Sequence, residues 1–528
     1  MKLNIPKVKK ILVFLLVVIL LVTLLFQCSV SQNNHYNQHH NIEDASANPS
    51  RIIICAYTTN NKNPLLAKTS YNEQMNFLMY DGLYIITPNY EAEENLACGY
   101  EIQDNGYSAL IHLKPNISFH DGSAFTAHDV KATIDYLLNN PGYYSHNIRN
   151  IRSATVVDNY TIRLELSELT PNLKLQLTFP IVCKKELLNT SRFQYNGTGP
   201  YRMTSETKGK QLVLQQNLDY HRDFKTDIQE IEVSFIPDVE TARALSGSGI
   251  MDIFYFSFCD EGVKTVTKYE SQKFDFLTDE YTFLAFNYNA PLMQEKTFRK
   301  ALSQAISRDS IRDEVFMTHA ESTYLPLPPG SWAYNENKEN GHDIEEAKAL
   351  LQELGFSDTD NNGIIERYPE EEKEELVLNL LSTDDSIKKE ICETLIANFK
   401  EIGISLNVQY VPIEEFSALY EEKVHDLYLI TTNLGYDLDI SAFFDGVFDT
   451  PLTIDYDNYL KKFAITDQMT IKQPDYMRLC DDFYEYTPHI PLVFLKQTML
   501  TGSKIDAVTA VNPCYFYYEI LNQETGGL

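Results

Sequence analysis

The feature that most limits how this chain can fold is its N-terminal segment. Several lysines lie within residues 1–10, and residues 11–26 are almost wholly apolar. A basic segment followed by an apolar run is typical of an export signal, which takes no part in the folded domain. The run is also nearly long enough to cross a bilayer, which takes roughly 17–25 residues. We therefore expect the rest of the chain to fold on the extracytoplasmic face of the cell membrane.

The same segment is compatible with two ways of holding the chain at the membrane. Cys28 follows the apolar run, and Leu25 stands where a lipoprotein signal has leucine, so the segment resembles a lipoprotein signal with lipidation at Cys28. Phe26 and Gln27, however, occupy positions where that signal has small residues. The alternative is that residues 1–28 form an uncleaved membrane anchor. The polar residues 29–50 that follow are predicted to be a flexible linker.

Length and charge narrow the class of protein. A chain of 528 residues is too long for one ordinary core and is sufficient for two or three lobes. Its net charge of −30 argues against a nucleic-acid partner, because phosphate backbones need clustered cations. The sequence contains none of the common zinc-protease, nucleophile-elbow or nucleotide-loop motifs, so we predict that it is not an enzyme. Cysteines after Cys28 form no CxxC pairs, and most are predicted to be small buried side chains.

The stretch 119–130, FHDGSAFTAHDV, contains two His–Asp pairs that could indicate either catalysis or local structure. Gly122 is suited to a turn that requires positive φ. Thr126, followed three residues later by Asp129, matches a capping box in front of an apolar helical stripe. Asp129 also complements the positive end of that helix. We therefore predict that both pairs shape a turn and a helix start and perform no acid–base chemistry.

The same stretch resembles a signature of bacterial extracellular solute-binding proteins of the peptide and nickel class, the binding components of ABC importers. Other segments resemble elements of that family in the family's order, and together they cover nearly all of residues 51–528. These segments are YDGLYIITPNYE (80–91), GTGPYRM (197–203), ALSGSGIMDI (244–253), the blocks 284–311 and 343–364, and HIPLVFLK (489–496).

The resemblance implies an α/β fold of the periplasmic-binding-protein type, with two hinged α/β lobes and an additional inserted domain. The implied ranges are 51–80, 197–283 and 491–528 for the first lobe, 81–196 for the inserted domain and 284–490 for the second lobe. The implied function is to capture oligopeptides or dipeptides and deliver them to the permease subunits of an ABC transporter. The same fold could instead bind another solute, such as a nickel chelate, a glycan or a signalling peptide. It could also serve as a membrane-tethered sensor or hydrolase domain.

In peptide-binding members of the family, a segment resembling W-x-x-D-Y-x-D-P-x-x-F lines the cleft, and its first Asp binds the α-amino group of the ligand. The matching segment here is 431–445, TTNLGYDLDISAFFD, which lacks the Trp. One alignment of this segment with the family pattern puts Tyr436 at the position of the amine-binding Asp and Asp439 at the position of the later Asp. Shifting the alignment by one residue puts Asp437 at the amine-binding position. We favour Asp437, because a buried ammonium without a counter-charge is costly. The other residues predicted to bind substrate are Asn433, Gly435 and Asn287.

The loop 358–366, DTDNNGIIE, resembles the front of an EF-hand calcium loop. Asp358, Asp360 and Asn362 stand at positions one, three and five, where that loop places oxygen ligands. Position twelve, which should be a bidentate Glu, is Pro369, although Glu366 at position nine could partly substitute. The alternative is a polar turn between a helix and a strand without metal. No other cofactor is expected.

Overall fold

The computed structural model describes residues 50–58, 62–67, 70–188, 193–238, 241, 244–245, 248, 250–257, 272–337, 342–369, 372–444, 454–502, 504–505 and 514–522, and the structural statements below concern these residues. The predicted signal or anchor with Cys28, and the predicted linker up to residue 49, lie outside them. Within the described ranges, no helix combines the length and the apolar character needed to cross a membrane.

The described strands form three larger sheets and two short hairpins. In chain order the strands are β1 (Arg51–Tyr57), β2 (Tyr84–Ile86), β3 (Ala92–Glu94), β4 (Ala97–Gln103), β5 (Ser108–Leu113), β6 (Ile151–Asp158), β7 (Thr161–Leu166), β8 (Tyr201–Thr207), β9 (Gln211–Gln216), β10 (Glu230–Ile236), β11 (Ile253–Ser257), β12 (Gln272–Phe286), β13 (Ala320–Ser322), β14 (Glu366–Arg367), β15 (Glu374–Glu375), β16 (Val377–Thr383), β17 (Ser405–Val411), β18 (Leu427–Asn433) and β19 (Ile490–Thr501).

The described α-helices lie between these strands, except for the last helix, which follows β19. In chain order they are α1 (Ser70–Met79), α2 (Ala127–Asn139), α3 (Ser145–Ile148), α4 (Leu173–Gln176), α5 (Lys184–Leu187), α6 (Pro291–Gln294), α7 (Lys296–Ala305), α8 (Arg308–Ser310), α9 (Ile344–Glu353), α10 (Ser386–Glu401), α11 (Ile413–Glu422), α12 (Tyr456–Ala464), α13 (Met469–Tyr486) and α14 (Phe516–Leu521).

The first sheet has the strand order β1-β10-β9-β8 and joins the start of the chain to residues 201–236. β1 lies parallel to β10, and the other pairs are antiparallel. β1 reads RIIICAY, and all residues between its two ends are buried. A continuous apolar run of this kind is typical of a strand that is covered on both faces.

The second sheet, β4-β5-β7-β6, is antiparallel throughout and carries the stretch 119–130 beside it. Thr126 is the N-cap of α2 and accepts a hydrogen bond from the backbone N–H of His128, while Asp129 accepts one from the backbone N–H of Thr126 at 3.0 Å. Gly122 has φ +81°, the left-handed conformation that the turn requires. The predicted turn and capping box are therefore confirmed.

The third sheet has the order β11-β19-β12-β18-β16-β17, with β13 paired to β19. β12 and β19 are its longest strands and form an antiparallel ribbon. The register of this ribbon shifts between Leu277 and Tyr281, so Thr278, Asp279 and Glu280 form a bulge. Bulges of this kind bend a strand and redirect its side chains.

The apolar core divides across the third sheet. Leu284 and Phe286 of β12 pack into one cluster with α7 and α10, whereas Tyr281 and Phe283 pack into another cluster with α12 and α13. This alternation has the period of two expected for a strand that is covered on both faces. The first and second sheets share a third cluster. The residue ranges predicted for the lobes and the inserted domain stay a prediction.

Candidate functional site

A cavity of about 440 Å³ lies beside the third sheet. Its walls come from α1, from residues 143–147, from the bulge of β12, from residues 433–437 after β18 and from residues 514–516. The volume falls within the range of about 300–1,000 Å³ that is usual for small-molecule sites. The cavity is therefore large enough for a small organic ligand such as a short peptide.

The bulge of β12 presents the carboxylate of Asp279 to this cavity. Asn433 Nδ2 donates to one oxygen of Asp279 at 2.9 Å, and the backbone N–H of Gly435 donates to the other at 3.0 Å. Gly435 has φ +77°, and a Cβ there would lie 2.4 Å from His146 Nε2. A larger residue would be strained in this conformation and would displace the His146 ring, so glycine favours the closure of this loop over Asp279.

A second carboxylate, that of Glu73 on α1, also lines the cavity. The hydroxyl of Tyr143 donates to Glu73 Oε2 at 2.6 Å. Burial raises the pKa of Glu73 to about 7, with a smaller contribution from the negative charge of Asp279 and an opposing one from the Tyr143 hydrogen bond. Among the described residues, no basic side chain forms an ion pair with Glu73 or Asp279. The two acids therefore leave negative charge in the cavity uncompensated.

The wall beside Glu73 also contains a second tyrosine. Tyr144 is 2% exposed and lines the cavity. Its hydroxyl, like that of Tyr143, interacts with the Glu73 carboxylate and opposes the rise of that pKa. Phe77, Tyr436 and Tyr515 supply much of the remaining wall and give the cavity large apolar faces.

Asp437, the residue favoured for amine binding, lines the cavity but already has a counter-ion. Arg149 Nη2 lies 2.8 Å from Asp437 Oδ2, Gln176 Nε2 donates to the same oxygen at 2.9 Å, and His146 Nε2 lies 3.4 Å away. Burial alone would raise the pKa of Asp437, but the charge of Arg149 and the hydrogen bond from His146 outweigh it and hold this pKa well below its usual range. In this structure the charge of Asp437 is therefore largely balanced.

Asp439 shares the same arginine. Its Oδ2 lies 2.7 Å from Arg149 Nη2, and its Oδ1 accepts hydrogen bonds from the backbone N–H of Ser441 at 2.9 Å and the Tyr456 hydroxyl at 3.1 Å. Arg149 follows α3 beside the second sheet, whereas both acids follow β18 of the third sheet. This bridge therefore joins two parts of the molecule that are far apart in sequence.

The residues predicted to bind substrate are only partly brought together. Asn433, Gly435, Tyr436 and Asp437 all line the cavity. Asp439 is not part of the cavity wall and forms an ion pair with Arg149. Asn287 is also outside the wall, and its side-chain amide donates to the backbone carbonyls of Lys423 and His425 at 2.7 and 2.8 Å. The assignment of Asp437 to the ligand's amine stays a prediction.

Sequence reasoning missed Glu73, Asp279 and Arg149. Asp279 left a visible signal, since Asp279 and Glu280 interrupt the strand-like run FDFLTDEYTFLAF. Glu73 and Arg149 left none, because their partners Tyr143 and Asp437 lie 70 and 288 positions away in the sequence.

The acidic loop 358–366 lies apart from the cavity. Asp358, Asp360 and Glu366 each place a carboxylate oxygen within 4.8 Å of the others. Of the described residues, this is the group whose donor atoms are suited to a metal ion.

Comparison with known proteins identifies the family. Residues 91–451 match the family model described as bacterial extracellular solute-binding proteins, family 5 Middle. The chain is 24% identical over 380 residues to the oligopeptide-binding protein AppA of Bacillus subtilis, a match that covers 68% of each protein. It is 24% identical over 352 residues to heme-binding protein A of Haemophilus influenzae, which covers 60% of this chain and 61% of that protein.

A solved structure shows the same fold. NikA from Brucella suis in complex with Fe(III)-EDTA is 20% identical in sequence, superposes with a TM-score of 0.66, and covers 90% of this chain and 100% of its own. The predicted α/β fold with two lobes of the periplasmic-binding-protein type is confirmed by this similarity. Since the family model spans most of the described chain, this protein belongs to the family 5 bacterial extracellular solute-binding proteins.

Proposed function

We propose that this chain is the extracytoplasmic binding subunit of an ABC importer and that it captures peptides through their free ammonium group. The observation that carries the proposal is the pair Glu73 and Asp279, two carboxylates that face one cavity and have no ion-pair partner among the described residues. Oligopeptide binding is what the name of the AppA relative states, and the family consists of binding proteins rather than enzymes.

The chemistry of the cavity suits a peptide better than an anionic solute. An ammonium placed between two carboxylates forms charge-assisted hydrogen bonds, which are among the strongest in proteins. The aromatic walls can cover side chains without selecting one sequence. Relatives named for heme or found with Fe(III)-EDTA show that the family leaves the solute open. A negatively charged chelate would be repelled by Glu73 and Asp279 in this chain.

The same pair of residues suggests how capture leads to closure. Glu73 lies on α1 beside the first sheet, whereas Asp279 lies on β12 of the third sheet. A ligand that contacts both residues joins the two regions, which favours the hinge closure usual for binding proteins. We propose that the closed form docks on the permease, and that the N-terminal segment holds the protein at the membrane through lipidated Cys28 or through its apolar run.

The proposal can be tested by calorimetry on the full chain in detergent. A tripeptide with a free amine should bind, and the same tripeptide N-acetylated should bind at least tenfold more weakly, because acetylation removes the charge. Native mass spectrometry of the purified protein should show a co-purified peptide. Binding of neither tripeptide would reject the peptide ligand.

Variants locate the site. Glu73→Gln and Asp279→Asn should each weaken the free-amine tripeptide at least tenfold and reduce the difference that acetylation makes. Glu353→Gln removes the same charge from an exposed position on α9 and serves as the matched control. If the two cavity variants bind the free-amine tripeptide as the control does, the ammonium does not sit between these acids.

A further inference from the structure

The acidic loop between α9 and β14 is closed at its base. The backbone N–H of Ser357 donates to the carbonyl of Glu366 at 2.9 Å, and the backbone N–H of Glu366 donates back to Ser357 at 3.0 Å. This pair of bonds brings the two ends of the loop together and so places Glu366 against Asp358 and Asp360. The three carboxylates therefore gather in a fixed geometry that does not require an ion to form.

The side chain of Glu366 has one buried carboxylate oxygen that a cation could stabilise. Its side chain belongs to a residue that is 0% exposed, and its Oε1 accepts hydrogen bonds from the backbone N–H of Thr359 at 2.9 Å and from the Thr359 hydroxyl. Its Oε2 is buried without a hydrogen-bond partner among the described residues. A buried carboxylate oxygen without a partner is strongly unfavourable, so a cation beside it would remove a substantial cost.

The available donors define the class of that cation. Asp358, Asp360 and Glu366 supply only oxygen, which hard divalent cations prefer. Asn362 Oδ1 accepts from the backbone N–H of Ile364 at 2.8 Å, and its Nδ2 donates to Glu375 Oε1 at 3.0 Å, so this amide joins the ligands only by exchanging its contacts. Each carboxylate oxygen can accept more than one bond, so the contacts that Asp358 makes to the N–H groups of Asn362 and Gly363 leave room for an ion. Ca²⁺ accepts six to eight oxygens in irregular geometry, whereas Mg²⁺ needs a near-ideal octahedron.

One resident charge competes with the ion. Lys373 Nζ lies 2.5 Å from Asp360 Oδ2 and 2.7 Å from Glu375 Oε1. This lysine reaches the outer acid Asp360 from the hairpin β14–β15, and its ion pairs among the described residues are with Asp360 and Glu375. A divalent ion bound by Asp360 would leave Lys373 with Glu375, so the lysine weakens the site without filling it.

We propose that Asp358, Asp360, Asn362 and Glu366 form a Ca²⁺ site that fastens the hairpin β14–β15 to the end of α9. The site lies outside the walls of the ligand cavity, so its role is to stabilise the fold and not to contact the transported solute. With an incomplete set of EF-hand ligands and a competing lysine, its affinity belongs in the range of about 10⁻⁴–10⁻³ M that extracellular calcium modules show. This inference does not depend on the identity of the solute.

The test uses the full chain in detergent, first stripped with a chelator that is then removed. Thermal melting is followed with added Ca²⁺ or Mg²⁺ at constant ionic strength, and binding is measured by Tb³⁺ luminescence. Tyr368 can sensitise Tb³⁺, because its hydroxyl lies 3.1 Å from that of Thr359 inside the loop. Millimolar Ca²⁺ should raise the melting temperature and displace Tb³⁺, and Mg²⁺ should do so at least tenfold less effectively.

Variants of the loop test whether these side chains bind Ca²⁺. Glu366→Gln and Asp358→Asn should each weaken Ca²⁺ at least tenfold, and Lys373→Met should tighten it. Glu353→Gln on the neighbouring helix should change nothing. If Glu366→Gln fails to fold, Asp358→Asn at the exposed end of the loop decides the matter. Equal effects of Ca²⁺ and Mg²⁺, or wild-type Ca²⁺ affinity in Asp358→Asn, would overturn the proposal.

Discussion

Ligand affinity should depend on pH through Glu73. Burial raises the pKa of this residue to about 7, the Tyr143 hydrogen bond opposes the rise, and the negative charge of Asp279 adds to it. In the empty cavity at pH 5, Glu73 is therefore mostly protonated and neutral. A bound ammonium favours the ionised form and lowers this pKa. Binding at acidic pH must then release the proton, which weakens the affinity.

The size of the effect follows from the fraction of Glu73 that is ionised before binding. With a pKa of about 7, about half of the molecules carry the negative charge at pH 7 and about 1% at pH 5, since each pH unit changes the ratio tenfold. The affinity for a free-amine tripeptide should therefore fall roughly 50-fold between pH 7 and pH 5. Measurements above pH 7 are less useful, because a peptide's own α-amino group has a pKa of about 8.

Calorimetry at the two pH values, each in two buffers with different ionisation enthalpies, measures both the affinity and the protons released. We expect close to one proton released at pH 5 and about half a proton at pH 7. Glu73→Gln should bind weakly at both values, with little dependence on pH and no proton release. Equal affinities of the wild type at pH 5 and pH 7, with heats independent of the buffer, would refute the placement of the ammonium beside Glu73.

Three further predictions concern other parts of the chain. Arg149→Ala leaves Asp437 buried without its strongest partner, so it should lower the free energy of unfolding by about 3–5 kcal/mol in denaturant unfolding. The double variant Arg149→Ala, Asp437→Asn should recover part of that loss. If the losses of the two single variants simply add in the double variant, the ion pair is contradicted. Thr126→Ala should cost about 0.5–2 kcal/mol of stability and leave ligand affinity unchanged, whereas a loss of affinity without a change in melting would argue against the cap. Cys28→Ser should abolish palmitate labelling and release the protein or block its processing if Cys28 is lipidated, and unchanged retention with residues 1–27 intact would establish a transmembrane anchor.

Local structure was predictable because its causes lie within a few residues. The capping box of Thr126 and Asp129 forms as the sequence predicts. Asp343 caps α9 in the same local way, by accepting from the backbone N–H of Glu346. Gly355, which follows that helix, has φ +85°. In each case the side chain and the backbone group it satisfies are neighbours in sequence, so no knowledge of the tertiary fold is needed.

The charge balance of the site was not predictable, because it depends on distant partners. Asp437 was favoured for binding the ligand's ammonium because a buried cation needs an anion. In the structure, however, the Asp437 carboxylate forms an ion pair with Arg149, which lies 288 residues away in the sequence. Asn287, which follows β12, belongs to a segment that resembles the family. Its side-chain amide nevertheless donates to the backbone carbonyls of Lys423 and His425 and does not line the cavity. A resemblance places a residue near a site, and only the surrounding side chains decide whether it faces the ligand.

The bulge of β12 also has a mechanical consequence. Along most of the ribbon formed by β12 and β19, regular hydrogen bonds resist bending, but the pairing is interrupted from Thr278 to Glu280. These same residues form part of the cavity wall. A solute held by Asp279, as proposed above, would therefore act directly on peptide units at which the pairing of the ribbon is interrupted.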